Sequence, residues 1–216
     1  MYDLVLKNCN VVNENVVSEV DIGINNERIE KIAGNISSEA RNEIDLQGKL
    51  LIPGLIDDQV HFREPGLTHK GEIATESKAA IAGGVTSYFE MPNVNPNTST
   101  IENLEKKFDI AANKSYANYS FYLGATNDNI EEIKKSDPNA SCGLKVFMGA
   151  STGDLLVNKY ESLEKIFEHC PTNIVTHCED PKRLVENENI FQEKYGDQLH
   201  AAHHAVIRDE ECCYLS

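Results

Sequence analysis

Apolar and polar positions alternate in short runs along the first 52 residues. Three segments rich in β-branched residues are punctuated by Asn-Asn, Ala-Gly and Gln-Gly. Runs of this kind, bounded by turn-forming residues, are typical of short strands joined by tight turns. Residues 1–52 are therefore predicted to form a small β-rich module, with its strands in DLVLKNCNVV, EVDIGINNERIEKIAG and NEIDLQGKLLIPG.

From residue 53 onward, short apolar runs alternate with longer segments of helical pattern. The run LIDDQVHF is followed by GEIATESKAAIAGG, which ends on two glycines as helices commonly do. Five such strand–helix units predict a parallel α/β sheet. A complete (β/α)₈ barrel takes about 250 residues, so residues 53–216 are predicted to form a partial TIM-type barrel. Its later strands are VTSYFEM, ANYSFYLGA, CGLKVFMG and TNIVTHC, and its later helices lie near 101–115, 128–136, 160–169, 181–195 and 201–214.

Charge and cysteine content narrow the classes of partner and compartment. The 216 residues include 20 Lys and Arg against 35 Asp and Glu, a formal net charge of −15. This balance argues against nucleic acid or an anionic membrane as a partner, whereas a small anionic substrate remains compatible if a metal or arginines reverse the local field. The six cysteines form no CxxC pair, and no signal peptide or membrane span is evident. We expect a cytoplasmic protein.

Reactive groups of a β/α barrel lie at the carboxyl ends of its strands. Asp57, Gln59 and His61 stand at alternate positions, which on a regular strand would place them on one face. A hydrolytic metal centre would have histidine at both of the later positions. His61 is therefore either a hydrogen-bonded structural residue or a metal ligand, with Asp57 as a partner near the metal.

Two further strands carry candidate residues. Lys145 interrupts the apolar strand CGLKVFMG, where a buried ammonium group is costly unless it is paired or neutralised. Lys145 could extend to the barrel mouth or pair with an acid, or it could react with CO₂ to form a carbamate that binds metal. His177 ends the fifth strand just before Asp180 and Pro181, which are predicted to begin a helix and leave His177 without a capping role.

Other histidines and cysteines have simpler interpretations. His200 and His204 are four residues apart on a predicted helix, but no acidic residue of an HExxH motif lies between them. They are predicted to be solvated surface groups. The adjacent Cys212 and Cys213 are predicted to be unremarkable thiols.

Four motifs together resemble dihydroorotases of the cyclic amidohydrolase superfamily, over essentially the whole chain. They are PGLIDDQVHFREPG, GEIATESKAAIAGGVTSYFEMPNVNP, GLKVFMGAST and IVTHCED. The resemblance implies a zinc-dependent hydrolase that interconverts N-carbamoyl-L-aspartate and dihydroorotate in pyrimidine biosynthesis. It implies that His61, a carbamylated Lys145 and His177 hold zinc, and that Arg63 and Asn93 bind the substrate carboxylate.

Two departures from the pattern of this family bear on the metal and on the catalytic residues, in addition to Val94, which stands where threonine is usual. Gln59 replaces the first histidine of Asp-x-His-x-His, so we expect one strongly held zinc and a weakened second position. The family's third metal histidine and its catalytic aspartate would lie beyond residue 216, so we expect no turnover from these residues alone. We expect the full-length form to be a homo-oligomer. Two alternatives remain open: another cyclic amidohydrolase, such as a dihydropyrimidinase or allantoinase, and a non-catalytic scaffold subunit.

Overall fold

A computed structural model of the chain describes residues 1–149 and 153–216. The end of the motif GLKVFMGAST, residues 150–152, lies outside the described residues. The chain divides into two compact units, Met1–Gly54 and Leu55–Ser216. Each unit has its own five-stranded sheet.

The first unit is a mixed sheet, which contains both parallel and antiparallel pairs of strands. Strand β1 lies between β2, which is antiparallel to it, and β4, which is parallel to it. Strand β3 extends the sheet beyond β2, and the short β5 pairs with β1. The strands are β1 (Tyr2–Asn13), β2 (Val16–Asn25), β3 (Arg28–Ala33), β4 (Ala40–Asp45) and β5 (Leu50–Leu51).

Two tight turns explain why β1, β2 and β3 are consecutive neighbours. Glu14 and Asn15 join β1 to β2, and Asn26 and Glu27 join β2 to β3. All four residues have positive φ, between 48° and 63°. Two-residue turns with both residues in this region match the twist of paired strands and favour antiparallel hairpins.

The second unit is a parallel sheet in which the strands follow the chain order. Its neighbours are β10-β9-β8-β7-β6, and every pairing between them is parallel. Each strand is followed by a helix, so the prediction of a partial β/α barrel is confirmed. The strands are β6 (Leu55–Val60), β7 (Val85–Glu90), β8 (Asn118–Gly124), β9 (Gly143–Phe147) and β10 (Ile174–His177).

The helices agree with the sequence pattern except at two places: the helix predicted near 128–136 covers only Ile130–Ile133, and the last helical stretch is interrupted. The predicted helical stretch near 201–214 is helical, but it is divided into two helices. Asp209 separates them, and its carboxylate accepts a hydrogen bond from the backbone N–H of Cys212, at 3.2 Å, which caps the second helix. The helices are α1 (Ile73–Ala82), α2 (Ile101–Lys114), α3 (Ile130–Ile133), α4 (Tyr160–His169), α5 (Pro181–Tyr195), α6 (Ala201–Ile207) and α7 (Glu210–Leu215).

Helix α5 begins where the sequence predicts it to begin. Asp180 accepts a hydrogen bond from the backbone N–H of Arg183 at 2.7 Å, and Pro181 occupies the first turn. None of the helices in the described ranges has the length and apolar character needed to cross a membrane.

The parallel sheet buries one face against the helices and turns its other face inward. Leu144 and Val146 of β9 belong to the core, together with Ile166 of α4. Alternation along the strand places Lys145 and Phe147 on the opposite face. In the parallel register of β10, His177 lies beside Phe147. The two polar candidates of these strands therefore share the inner face.

The outermost strands of this sheet each have one paired neighbour in the part of the chain that the structure describes. Strand β6 pairs with β7, and β10 pairs with β9. Leu55 and Ile56 of β6 are exposed, at 49% and 65%. Open edges of this kind are pairing sites for other strands.

Candidate metal and anion site

The loop after β6 and the loop after β7 meet at His61 and Asn93. The imidazole Nδ1 of His61 lies 2.9 Å from the side-chain oxygen Oδ1 of Asn93, although 32 residues separate them along the chain. An amide oxygen can only accept, so Nδ1 carries the proton and Nε2 keeps its lone pair. Desolvation and the positive charges of Arg63 and Lys145 lower the pKa of His61, which favours the neutral ring that a metal requires.

Arg63 lies beside the same asparagine. Its Nη1 donates a hydrogen bond to the backbone carbonyl oxygen of Asn93 at 3.3 Å. Arg63 has a φ of +70°, a conformation that non-glycine residues seldom adopt. The side-chain nitrogen of the buried Asn93 has no hydrogen-bond partner within the described ranges. The guanidinium and this amide group together form a set of donors suited to a carboxylate.

The two loops are held together by their backbones as well. The N–H of Asn95 donates to the carbonyl oxygen of Pro65 at 3.0 Å. Gly66 has a φ of +80°, and a Cβ at this position would overlap the carbonyl oxygen of Asn95. Glycine is therefore required here both by the backbone conformation and by the close approach of the second loop.

Lys145 is a buried amine with no acidic partner in the part of the chain that the structure describes. Its side chain is on the inner face of β9, the residue is 3% exposed, and its ammonium nitrogen lies 5.1 Å from the centre of the Phe147 ring. Among the described residues, no carboxylate forms an ion pair with it. Burial lowers the pKa of Lys145. Neither pairing with an acid nor extension to solvent therefore accounts for this residue.

His177 is oriented by a carboxylate that follows it. Its Nε2 lies 2.7 Å from Oε2 of the buried Glu179, and the other oxygen of Glu179 lies 3.5 Å from Arg208. Since Nε2 is engaged with the carboxylate, Nδ1 is the ring nitrogen of His177 left for a metal. The centre of the His177 ring lies 6.1 Å from that of Phe147.

These residues fit zinc only if Lys145 is modified. Zinc in hydrolytic sites takes imidazole nitrogens and carboxylate oxygens, and His61 and His177 each keep one ring nitrogen for a metal. No group of three or more His, Cys, Asp and Glu side chains in residues 1–149 and 153–216 is arranged to hold a metal ion. A carbamate on Lys145 would supply the missing carboxylate. The assignment of these three residues to a metal therefore stays a prediction.

The first-strand motif is less regular than the sequence pattern predicts. Asp57 pairs with Tyr88 and Val60 pairs with Glu90, so the register of β6 shifts between the two pairs. Three residues along β6 therefore span the same distance as two along β7. This irregularity interrupts the alternation of side chains, and the prediction that Asp57 and His61 share one face depends on that alternation. The carboxylate of Asp57 instead accepts the backbone N–H of Gln59 at 3.1 Å.

The remaining histidine pair lies elsewhere in the fold. His200 precedes α6 and His204 lies on it, and both are exposed, as the sequence predicts. The ring of His200 packs against that of His203, with ring centres 3.9 Å apart and planes tilted by 30°. The structure does not bring them to the strand ends.

Sequence reasoning missed three residues near the site. Glu179 orients His177, and Glu90 and Lys107 form a fully buried ion pair at 3.1 Å. The helical spacing of apolar residues in α2 could have indicated that Lys107 is buried. Lys107 stands on the buried face of α2 with Leu104 and Ala111, three and four residues away.

Comparison with known proteins supports the resemblance that the motifs indicate. Residues 48–142 match a family model described as dihydro-orotase-like. A dihydroorotase from Methanothermobacter thermautotrophicus is 30% identical over 214 residues, which cover 97% of this chain and 47% of that protein. An allantoinase from Desulfitobacterium hafniense is 39% identical over 144 residues, which cover 66% of this chain and 31% of that protein.

A solved structure has the same fold over nearly the whole chain. It is the L-hydantoinase (dihydropyrimidinase) from Arthrobacter aurescens, with a TM-score of 0.90 and 27% sequence identity. The match covers 98% of this chain and 49% of the hydantoinase, so the chain spans half or less of the length of these relatives. The resemblance to cyclic amidohydrolases is confirmed: the chain is similar in sequence and fold to enzymes that hydrolyse cyclic amides.

Proposed function

We propose that this chain forms part of a zinc-dependent hydrolase of cyclic amides whose substrate carries a carboxylate. The specific proposal is a cytoplasmic dihydroorotase of pyrimidine biosynthesis, which interconverts N-carbamoyl-L-aspartate and dihydroorotate. The observation that carries it is the shared contact at Asn93. Through this residue a prospective metal ligand, His61, and a prospective carboxylate-binding group, Arg63, are joined in one cluster.

Each residue of the cluster has a separate task in this proposal. Arg63 binds the substrate carboxylate with its guanidinium group, and the Asn93 amide adds a directed donor. The Asn93 side-chain oxygen holds His61 in the tautomer that leaves Nε2 unprotonated. The Glu179 carboxylate engages Nε2 of His177 and leaves Nδ1 of that ring unprotonated. When bound, zinc polarises the amide carbonyl and lowers the pKa of a bound water to about 7.

Proton transfer between water and the leaving nitrogen needs a general base. We propose that this base is an aspartate outside residues 1–216, as the resemblance implies. The 216 residues would then bind metal and an anionic ligand without turning over substrate.

Two other functions have specific support. The relative with 39% identity is named an allantoinase, and the solved structure is that of a hydantoinase. A cyclic ureide without a carboxylate, such as a hydantoin, would not need the guanidinium of Arg63. A non-catalytic scaffold subunit is favoured by Gln59, because an amide is a poor zinc ligand.

Bicarbonate-dependent zinc binding tests the proposal. We expect the chain to bind zinc more tightly with bicarbonate, and ¹³C-bicarbonate to give a carbamate carbon signal by NMR. The Lys145→Met variant should lose the bicarbonate effect on zinc binding and the carbamate signal. The Lys159→Met variant, which changes an exposed lysine, should keep the effect and the signal. Zinc affinity that is unaffected by bicarbonate and by Lys145→Met would contradict the metal site.

Ligand preference then separates the candidate functions. A dicarboxylate such as succinate should bind to the zinc-loaded chain more tightly than hydantoin, and Arg63→Met should remove that preference. If the Arg63→Met variant binds succinate as tightly as the unchanged chain does, a ureide hydrolase is favoured. Failure of the chain to bind either ligand or zinc would favour the scaffold.

A further inference from the structure

A completely buried ion pair contacts the backbones of the two loops of the site. Glu90 is the last residue of β7 and Lys107 lies in the middle of α2, and both side chains are 0% exposed. Oε2 of Glu90 lies 3.1 Å from Nζ of Lys107. Transferring two charges out of water is costly, and well-packed apolar residues are often at least as stable in such a position. Stability alone therefore does not explain these two residues.

Each member of the pair also holds a loop of the site. Glu90 Oε1 accepts the backbone N–H of Arg63 at 3.0 Å, and Lys107 Nζ donates to the backbone carbonyl of Met91 at 3.0 Å. Arg63 belongs to the loop of His61, and Met91 begins the turn that contains Asn93. The ion pair thus links the two loops through their backbones.

The contact with Arg63 falls at the strained point of its loop. Arg63 adopts a φ of +70°, and such a conformation persists when the surroundings hold it. A carboxylate that accepts the N–H of this residue stabilises the turn directionally, which an apolar side chain cannot do. Burial raises the pKa of Glu90 and lowers that of Lys107, while the charge of each opposes the shift of the other.

We propose that Glu90 and Lys107 are positioning residues, which hold the loops of Arg63 and Asn93 in the relative position that binds an anionic ligand. The inference deepens the proposed function and rests on it for the identity of that ligand. Neither residue touches the ligand. Glu90 acts through the backbone of Arg63, and Lys107 acts through the backbone of Met91.

Two double variants of the chain isolate the hydrogen bond to Arg63. Glu90→Leu with Lys107→Met removes both charges and the acceptor, whereas Glu90→Gln with Lys107→Met removes both charges but keeps an oxygen near the Arg63 N–H. Lys106→Met, which breaks the exposed pair with Glu102 on the same helix, is the control. Unfolding midpoints, amide hydrogen exchange at Arg63 and succinate affinity are measured on all of them.

The positioning role predicts a specific split between these variants. The Leu/Met variant should exchange the Arg63 amide about tenfold faster than the Gln/Met variant and bind succinate about tenfold more weakly, whatever its unfolding midpoint. The Lys106→Met variant should match the unchanged chain. Equal Arg63 exchange in both folded double variants would overturn the proposal.

Two further outcomes are informative. If the double variants do not fold, Glu90→Asp keeps the charge and shortens the arm, and faster exchange at Arg63 is expected, while unchanged exchange rejects the positioning role. If the unchanged chain binds no succinate but the exchange split is present, the positioning role stands and the anionic substrate of the proposed function fails.

Discussion

The imidazole Nε2 of His177 and the carboxylate Oε2 of Glu179 lie 2.7 Å apart, and a single residue separates them along the chain. The Glu179 carboxylate therefore faces the ring. Glu179 is also near Arg208, which follows α6. The orientation of a prospective metal ligand therefore depends on the last helices of the chain.

Removal of the Glu179 carboxylate should weaken metal binding. A carboxylate that orients a ligating histidine is typically worth 10- to 100-fold in metal affinity, so we expect Glu179→Ala to lower zinc affinity by about that factor. A competition titration against a chromophoric chelator measures it. Glu168→Ala is a matched control, because Glu168 lies beside His169 on an exposed surface. An unchanged zinc affinity in a folded Glu179→Ala variant would show that the contact is structural only.

Restoring histidine at position 59 should create a second zinc position. A neutral amide oxygen is a much poorer zinc ligand than imidazole. We therefore expect the chain with Gln59 to hold one zinc strongly and the Gln59→His variant to hold two, by metal analysis after dialysis with bicarbonate. Gln192→His, on an exposed part of α5, should add none. Two zinc ions of similar affinity in the unchanged chain would contradict this expectation.

Arg183 should control the ionisation of Asp209. The two groups lie 2.8 Å apart, and the hydrogen bond from Arg183 is the largest cause that lowers the pKa of Asp209 from 3.8 to about 2. Because the folded-state pKa is lowered, the stabilisation is present above pH 3.8 and is lost as the pH falls towards 2. Arg183→Met should raise this pKa towards 3.8, measured by NMR titration of the Asp209 carboxyl carbon. The control Lys182→Met changes an exposed neighbour and should leave the pKa unchanged.

The open edge at β6 should make the isolated chain associate. Ile56 is 65% exposed on this strand, and a charged residue on an edge strand opposes pairing between chains. We expect the average mass of the unchanged chain to rise with concentration in light scattering, and Ile56→Lys to reduce this rise. Ile81→Lys, on an exposed position of α1, should have a smaller effect. A monodisperse monomer at all concentrations, with a sharp cooperative melt, would contradict the prediction.

The sequence by itself determines the order and type of the elements in the second unit. Apolar runs and helical segments have local periods, so the five strands of the sheet and the start of α5 at Asp180 and Pro181 can be predicted within a few residues. The sequence also singles out His61 and His177, which close the first and fifth predicted strands, and Lys145, which is a charged residue within the apolar fourth strand; their joint role at a metal is what the family resemblance implies. The division at Asp209 was missed, since a capping side chain can interrupt a helical pattern that otherwise continues.

Only the tertiary structure decides which of these side chains meet. The contact between His61 and Asn93 joins residues 32 positions apart, and the ion pair of Glu90 and Lys107 joins a strand to a helix. The register shift in β6 depends on the pairing with β7, which no local pattern specifies. Hydrophobic periodicity fixes which face of an element is buried, but it carries no information about the partner across the interface. For that reason the candidate ligands are predictable from the sequence, whereas the residues that orient them are not.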